Sequence, residues 1–156
     1  MRLGLSTRIS IVMDDKFPYE GLLPLLEGSS VDDVEMDASI GVDEMEGIKG
    51  FFRGSRQRLW SLHGLAGHEL LSSLSGGARD EGMANARRSI EVAGHLGAHV
   101  VVLHASDEPI AEHERPERIA QAKMSLAGLV PAARRANSVI AVELLPRTCL
   151  GNSLPE

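Results

Sequence analysis

The chain has 156 residues, of which 43% are hydrophobic and 24% charged, with a net charge of -6 at pH 7. These proportions are those of an ordinary globular domain with one core, and the mean hydropathy of -0.05 disfavours a membrane-spanning segment. An acidic balance also disfavours nucleic acid as a partner, because bulk electrostatics would repel a polyanion, although a local basic pocket for one phosphate is compatible with it.

The amino terminus and the single cysteine indicate the cellular compartment of the protein. Residues Met1–Ser6 lead into a predicted strand and lack the apolar core and cleavage site of a signal peptide. Cys149 has no second cysteine to pair with, which indicates a small apolar filler rather than a disulfide or a redox pair. We therefore expect a cytoplasmic protein with no membrane partner.

Five short apolar runs predict strands at intervals of roughly 25 to 40 residues, the length of one strand plus a crossover helix. The last two runs are continuously apolar, which predicts strands buried on both faces of a parallel sheet. The fold class indicated is α/β. The predicted strands are Leu3–Ser6, Val34–Met36, Leu59–His63, Val100–Leu103 and Ile140–Val142.

The segments between these runs predict helices over Pro18–Leu26, Asp43–Phe52, Asp80–Leu96 and Pro116–Ala136. The third helix has the clearest pattern, with apolar residues three and four positions apart, and Gly97 follows it as a left-handed cap.

Three smaller features accompany the helices. Pro131 is expected to kink the fourth helix and Asn137 to cap it. The stretch Ser75–Gly77 lacks the lysine and the spacing of a phosphate-binding loop, so we expect a flexible linker there.

Each of the last three predicted strands ends in a residue that can bind a metal, namely His63, His104 and Glu143. Because the carboxyl ends of parallel strands meet at one edge of a sheet, these side chains are expected to face one pocket. Two imidazoles and one carboxylate form a divalent-metal site. Alone, each histidine could equally be a hydrogen-bonded residue at the rim.

Five segments at the predicted strands form a recognisable series, namely Arg2–Thr7, Val34–Met36, Ser61–His63, Val102–Ser106 and Val142–Arg147. In order and spacing they resemble the xylose isomerase-like TIM barrels, a family that includes sugar and sugar-phosphate isomerases and epimerases and endonuclease IV-type repair enzymes. The resemblance implies a (β/α) TIM barrel with parallel strands one to five of eight present. A complete barrel takes about 250 residues, so residues 1–156 are expected to form a single domain truncated after the fifth strand.

For the chemistry, the resemblance implies a divalent cation, which could be zinc, manganese, magnesium or cobalt, on His63, His104 and Glu143. It implies a metal-dependent sugar or sugar-phosphate isomerase or epimerase, in which proton transfer proceeds through an enediolate that the metal stabilises. Glu143 is the candidate catalytic residue, a ligand that could also transfer the proton.

Three further residues are candidates for substrate binding. Glu35 ends the second strand and could line the same pocket, or it could be solvated or paired with a lysine or arginine. Arg147 could hold a substrate phosphate through its planar fork, or pair with Asp107 or Glu108. His68 follows the third strand, where lids often form, although most loop histidines are simply exposed.

Two alternatives to an isomerase remain open. An endonuclease IV-like abasic-site nuclease shares the two histidines and the glutamate, but it needs a basic groove that an acidic chain disfavours. A non-catalytic truncated module would agree with the missing strands. In either case a five-stranded half-barrel exposes an apolar sheet edge, which predicts a homo-oligomer.

Overall fold

The computed structural model describes residues 2–7, 19–106, 109–145 and 148–151. Within them, one parallel sheet has its strands in chain order, which confirms the α/β class and the predicted strand order. Each strand lies within two residues of its predicted bounds. The strands are β1 (Gly4–Ser6), β2 (Asp33–Asp37), β3 (Arg58–His63), β4 (Val100–Leu103) and β5 (Val139–Val142).

Helices follow the strands as the repeat predicts. The last helix continues through Pro131 as far as Arg135, so the proline does not end it. Pro18, the expected start of the first helix, lies outside the described residues. The helices are α1 (Tyr19–Glu27), α2 (Val42–Gly54), a 3₁₀ helix (His68–Ser72), α3 (Gly76–Leu96) and α4 (Arg115–Arg135).

The two predicted helix caps are confirmed, and both residues are left-handed. Gly97 has φ of 78° at the end of α3, and Asn137 has φ of 54° after α4. Glycine adopts this region without a steric penalty, and asparagine is one of the few other residues that tolerate it.

The expectation of a linker at Ser75–Gly77 is wrong, because α3 begins there. Ser75 is the N-cap, and its side chain accepts a hydrogen bond from the backbone N–H of Ala78 at 3.5 Å. Gly76 and Gly77 form the first turn of the helix. A capping serine binds one of the free N–H groups of a helix start, which offsets the low helix propensity of the glycines.

The hydrophobic core lies between the sheet and the helices. Alternate residues of the central strands face this core, and the opposite, inner face of the sheet carries Glu35, Ser61 and His63. The buried strand residues of the core include Val34, Met36, Leu59, Leu62, Val101 and Leu103, and the helices contribute Ile48, Ala86, Ile90 and Leu129.

An irregularity in β3 brings His63 to the inner face. Leu59 pairs with Val34 but Ser61 pairs with Glu35, so Trp60 is an extra residue in the register. Simple alternation would place Leu59 and His63 on the same face. The extra residue shifts the alternation, so that Leu59 faces the core while His63 faces inward.

The expectation that the last strand is buried on both faces is wrong. Val139 is 51% and Val142 41% exposed. Among the described strands β5 pairs only with β4, so it is an edge strand. Burial on both faces needs neighbours that the apolar run itself cannot specify.

Candidate metal centre

His63 and His104 meet at the carboxyl end of the sheet, as the sequence predicts. His63 is the last residue of β3, and His104 directly follows β4. Both side chains are buried, and their Nε2 atoms lie 3.0 Å apart. Two imidazoles therefore face each other at the edge where parallel strands end.

Glu143 joins the two histidines from β5. Its backbone N–H donates to the carbonyl of Leu103 at 3.0 Å, which continues the sheet past the end of the strand. One carboxylate oxygen, Oε2, lies 3.0 Å from His104 Nε2 and 3.5 Å from His63 Nε2. The side chain is 46% exposed, so this ligand set opens toward solvent on the side of Glu143.

His68 is a third histidine in the same group. One ring nitrogen each from His63, His68 and His104 lie within 4.8 Å of one another, and all three residues are buried. We call these three residues the histidine cluster. The sequence predicted His68 as a substrate-binding residue in a loop, whereas the structure places it on the 3₁₀ helix against two predicted metal ligands.

Two glycines explain how His68 reaches the cluster. A Cβ atom on Gly64 would lie 2.9 Å from the His68 ring and 2.8 Å from Leu103 Cδ2, so only glycine leaves room for the ring. Gly67 has φ of 90°, a left-handed conformation that starts the 3₁₀ helix. These glycines, four and one positions before His68, were the sequence signal that could have indicated its role.

Helix α3 holds the loop that precedes His68. Ser89 accepts a hydrogen bond from the backbone N–H of Leu65 at 2.9 Å, and Asn85 donates to the carbonyl of Ala66 at 3.0 Å. This loop carries the carbonyl that contacts the His68 ring. The ring is thus positioned by a long helix as well as by its own loop.

Backbone carbonyls indicate the tautomers of two of the histidines. His68 Nδ1 lies 2.6 Å from the carbonyl of Leu65, and His63 Nδ1 lies 3.3 Å from the carbonyl of Gly64. A carbonyl only accepts, so each Nδ1 carries the proton and each Nε2 presents a lone pair. Burial lowers the pKa of His68 below its ordinary value, which favours the neutral ring.

The donor set of the cluster suits a cation. His68 Nε2 is buried and has no hydrogen-bond partner among the described residues. Lone pairs from His63 and His68 and the Glu143 carboxylate converge near His104, which can supply at most one proton at Nε2. A buried acceptor without a donor is costly, and a metal ion satisfies several acceptors at once.

A cavity of about 650 Å³ lies beside the cluster and is bounded in part by His68. Its other polar lining groups are carboxylates, a hydroxyl, an amide and a guanidinium, which bind hydroxyl groups readily. His68 therefore lies where it can contact either a metal or a ligand in the cavity. These polar lining residues are Asp37, Ser39, Glu69, Asn85 and Arg88.

Glu35 lies on the inner face of β2, two residues before the strand ends. Its two carboxylate oxygens accept hydrogen bonds from Ser6 Oγ at 2.8 Å and Ser61 Oγ at 2.9 Å, one from each neighbouring strand. The pairing with a lysine or arginine that the sequence left open is not seen among the described residues. Arg147, Asp107 and Glu108 lie outside the described residues.

The chain belongs to the xylose isomerase-like TIM barrel family, whose model matches residues 31–156. This confirms the family that the sequence resembles and identifies the five-stranded sheet as part of such a barrel. None of the curated protein sequences is similar enough to match.

Solved structures share the fold at low sequence identity. A D-tagatose 3-epimerase-like protein matches with a TM-score of 0.77 and 19% identity over 97% of this chain and 56% of its own. D-psicose 3-epimerase from Clostridium cellulolyticum H10 has a TM-score of 0.77 and 16% identity over 95% of this chain and 54% of its own.

A third solved structure, the IOLI protein with a bound zinc atom, has a TM-score of 0.74 and 16% identity over 96% of this chain and 54% of its own. The chain thus spans a little over half the length of the solved structures it matches. In the described part of the chain, no helix is both long and apolar enough to cross a membrane.

Proposed function

We propose that this chain carries the metal-binding half of the active site of a metal-dependent sugar or sugar-phosphate isomerase or epimerase. The observation that carries the proposal is the convergence of His63, His68 and His104 with Glu143 at the carboxyl end of the sheet. Membership in a family whose solved relatives are named as sugar epimerases and isomerases supports the reaction class.

The residues present fit a divalent metal. His63, His104 and Glu143 would hold it, with His68 as a fourth ligand or as a contact to the substrate. Three imidazoles and one carboxylate favour zinc or cobalt, and manganese remains compatible, whereas magnesium prefers an all-oxygen set. The zinc atom in the related IOLI structure agrees with this preference.

The chemistry divides between the metal and the chain. When bound, the metal would polarise a sugar carbonyl and so favour loss of the proton from the neighbouring carbon. Glu143 is the residue to accept and return that proton, because its carboxylate is half exposed beside the buried histidines. The backbone carbonyls at His63 and His68 keep both rings in the tautomer that presents Nε2.

Substrate binding would use the polar groups around the cluster. The 650 Å³ cavity beside His68 is of a size that holds small ligands and is lined by groups that bind hydroxyls. Glu35, held by two serines, keeps lone pairs for a sugar hydroxyl, and Arg147 remains our candidate for a substrate phosphate. The proposed substrate class is therefore a small sugar or sugar phosphate.

The partial barrel bears on whether the chain is active without further strands or a second copy. We propose that residues 1–156 form one domain equivalent to the first five units of the barrel, in a cytoplasmic protein, and that a complete site needs further strands. Exposed Val139 and Val142 on the β5 edge would favour association with another copy. A homo-oligomer is the form we expect for the chain as given.

The first test is metal binding by the chain and two matched variants. After treatment with a chelator, cobalt is titrated and followed by its visible absorption, which reports nitrogen ligands. We expect one cobalt per chain in the original protein, much weaker binding in His104→Ala, and unchanged binding in His113→Ala, whose side chain is 83% exposed.

Equal binding by His104→Ala and the original protein would remove His104 from the site and overturn the proposed metal centre. A metal-loaded protein is then assayed with D-tagatose, D-psicose and D-fructose, by exchange of the substrate's carbon-bound proton with deuterated water. Metal binding without exchange on any tested sugar would mean that the metal centre forms but that the strands present do not complete a catalytic site.

A further inference from the structure

A second cavity lies at the opposite end of β3 from the histidine cluster. It has a volume of about 410 Å³ and lies between the ends of α2 and α3 and the start of β3. Arg58 begins β3 and His63 ends it, so the two sites are about 16 Å apart along the strand. The second cavity therefore has no part in the metal centre described above.

Basic residues from three elements line this cavity. Lys49 and Arg53 lie one turn apart on α2, Arg58 lies on β3 and His95 on α3. We call these four residues the basic pocket. Because the whole chain is acidic, with a net charge of -6, three lysine and arginine residues around one cavity are a local concentration of positive charge.

Two of these cations have no acidic partner. Among the described residues, Lys49 and Arg53 make no ion pair or side-chain hydrogen bond, whereas His95 pairs with Glu46 at 2.8 Å. A lysine ammonium has three N–H donors and an arginine guanidinium five. The pocket thus offers donors and positive charge that no described residue uses.

Arg58 is held in place by its surroundings. Its Nε lies 2.5 Å from Asp33 Oδ1, and its guanidinium carbon lies 4.3 Å from the centre of the Trp60 ring. Arg2 donates two hydrogen bonds to Asp33, and together with the one from Arg58 they hold the pKa of Asp33 well below its usual range. One carboxylate is therefore shared by two guanidinium groups, which leaves positive charge in excess.

Apolar residues complete the walls, including Phe52 on α2 and Leu96 on α3. We propose that the basic pocket binds a small organic phosphate, a phosphate monoester whose other part is apolar or aromatic. Lys49, Arg53 and Arg58 would contact the phosphate oxygens, and Phe52 and Leu96 would contact the apolar part. A volume of about 410 Å³ lies in the range of small-ligand sites.

Cations near helix carboxyl termini also have a purely structural role. Arg53 is in the last turn of α2, where positive charge offsets the partial negative charge of free carbonyls. That role needs no ligand and gives no selectivity for phosphate. The experiment therefore measures binding and not stability alone.

Phenyl phosphate is the probe, with inorganic phosphate and phenol as comparison ligands, at low ionic strength. Trp60 is the only tryptophan of the chain and contacts Arg58, so its fluorescence reports on the pocket. Amide NMR shifts of Gly94 and Gly97, which line the cavity, locate the binding independently.

We expect saturable binding of phenyl phosphate with shifts at both glycines, weaker binding of inorganic phosphate and none of phenol. The affinity should fall as salt is added, because the cations are partly exposed and screened. No saturable response in either measurement would overturn the proposal, as would equal binding of phenol and phenyl phosphate.

The variant Lys49→Gln/Arg53→Gln tests the two unpaired cations. It should bind phenyl phosphate at least tenfold more weakly, whereas Arg87→Gln/Lys123→Gln, which removes two exposed charges outside the pocket, should bind as the original chain does. Equal weakening in both variants would mean that the affinity for phenyl phosphate depends only on the net charge of the chain. That result would overturn the proposed pocket. Circular dichroism serves as the folding control for both.

Discussion

Strands β4 and β5 have nearly the same composition but different surroundings. The first reads Val-Val-Val-Leu and the second Val-Ile-Ala-Val, and they pair with each other residue by residue. Val101 and Leu103 are fully buried under the helices, whereas Val139 and Val142 are largely exposed at the sheet edge. Burial here therefore depends on position in the sheet and not on the apolar run.

The residues after these strands differ in the same way. His104 follows β4 and is buried, and Glu143 follows β5 with its side chain 46% exposed. A buried ligand is held by its neighbours, whereas an exposed one can move and exchange protons with solvent. This contrast favours His104 as the fixed ligand and Glu143 as the group that transfers protons.

The largest effect should come from opening the core at β4. Leu103→Ala removes a fully buried side chain and should lower the free energy of unfolding by about 2 to 5 kcal/mol. The matched edge change, Val142→Ala, should cost under about 1 kcal/mol, because that side chain is already partly in water. Urea denaturation followed by circular dichroism measures both.

Similar losses in the two variants would mean that another surface covers β5 in solution. Repeating the measurement over a range of protein concentrations shows whether that surface belongs to a second copy of the chain. A loss in Val142→Ala that grows with concentration would place β5 in an interface between copies.

A smaller effect is expected on cobalt binding, and it should differ between the two proposed ligands His104 and Glu143. His104→Ala should weaken cobalt binding by more than the roughly 10- to 100-fold that loss of an outer partner costs. Glu143→Gln keeps an oxygen ligand and should weaken it less, while abolishing proton exchange on any sugar that the original protein turns over. Cobalt titration and deuterium incorporation measure the two effects, and full exchange activity in Glu143→Gln would exclude this residue as the base.

The smallest effect concerns the amino end of the sheet, at Asp33, the first residue of β2. The pKa of Asp33 is depressed by its hydrogen bonds from Arg2 and Arg58, so its contribution to stability is present above the unfolded pKa, about 3.9. That contribution is lost as the pH falls below this value, because the unfolded chain then binds the proton first.

Asp33→Asn should therefore have a slightly lower melting temperature than the original protein at pH 7. This difference in melting temperature should decrease as the pH is lowered toward 2. Thermal melts at several pH values measure it. A difference in melting temperature that stays constant with pH would show that the carboxylate charge does not contribute to stability, and that only its hydrogen bonds do.

Much of this protein follows from local pattern. The five strands, their order and the residues at their carboxyl ends were predictable, because strand periodicity and parallel connections are properties of short segments. Gly97 and Asn137 were predictable for the same reason, since a left-handed cap depends on one residue. His63, His104 and Glu143 could be grouped before any coordinates were known, because all three follow strands.

Other features depend on contacts between distant segments. His68 joins the cluster only because Gly64 lets its ring pack against β4 and because α3 holds its loop. The extra residue at Trp60 turns His63 inward, and this depends on the pairing with β2. Sequence alone determined which residues could form strands, caps and ligands, whereas tertiary structure decided which faces are covered and which side chains meet, because packing depends on neighbours far away along the chain.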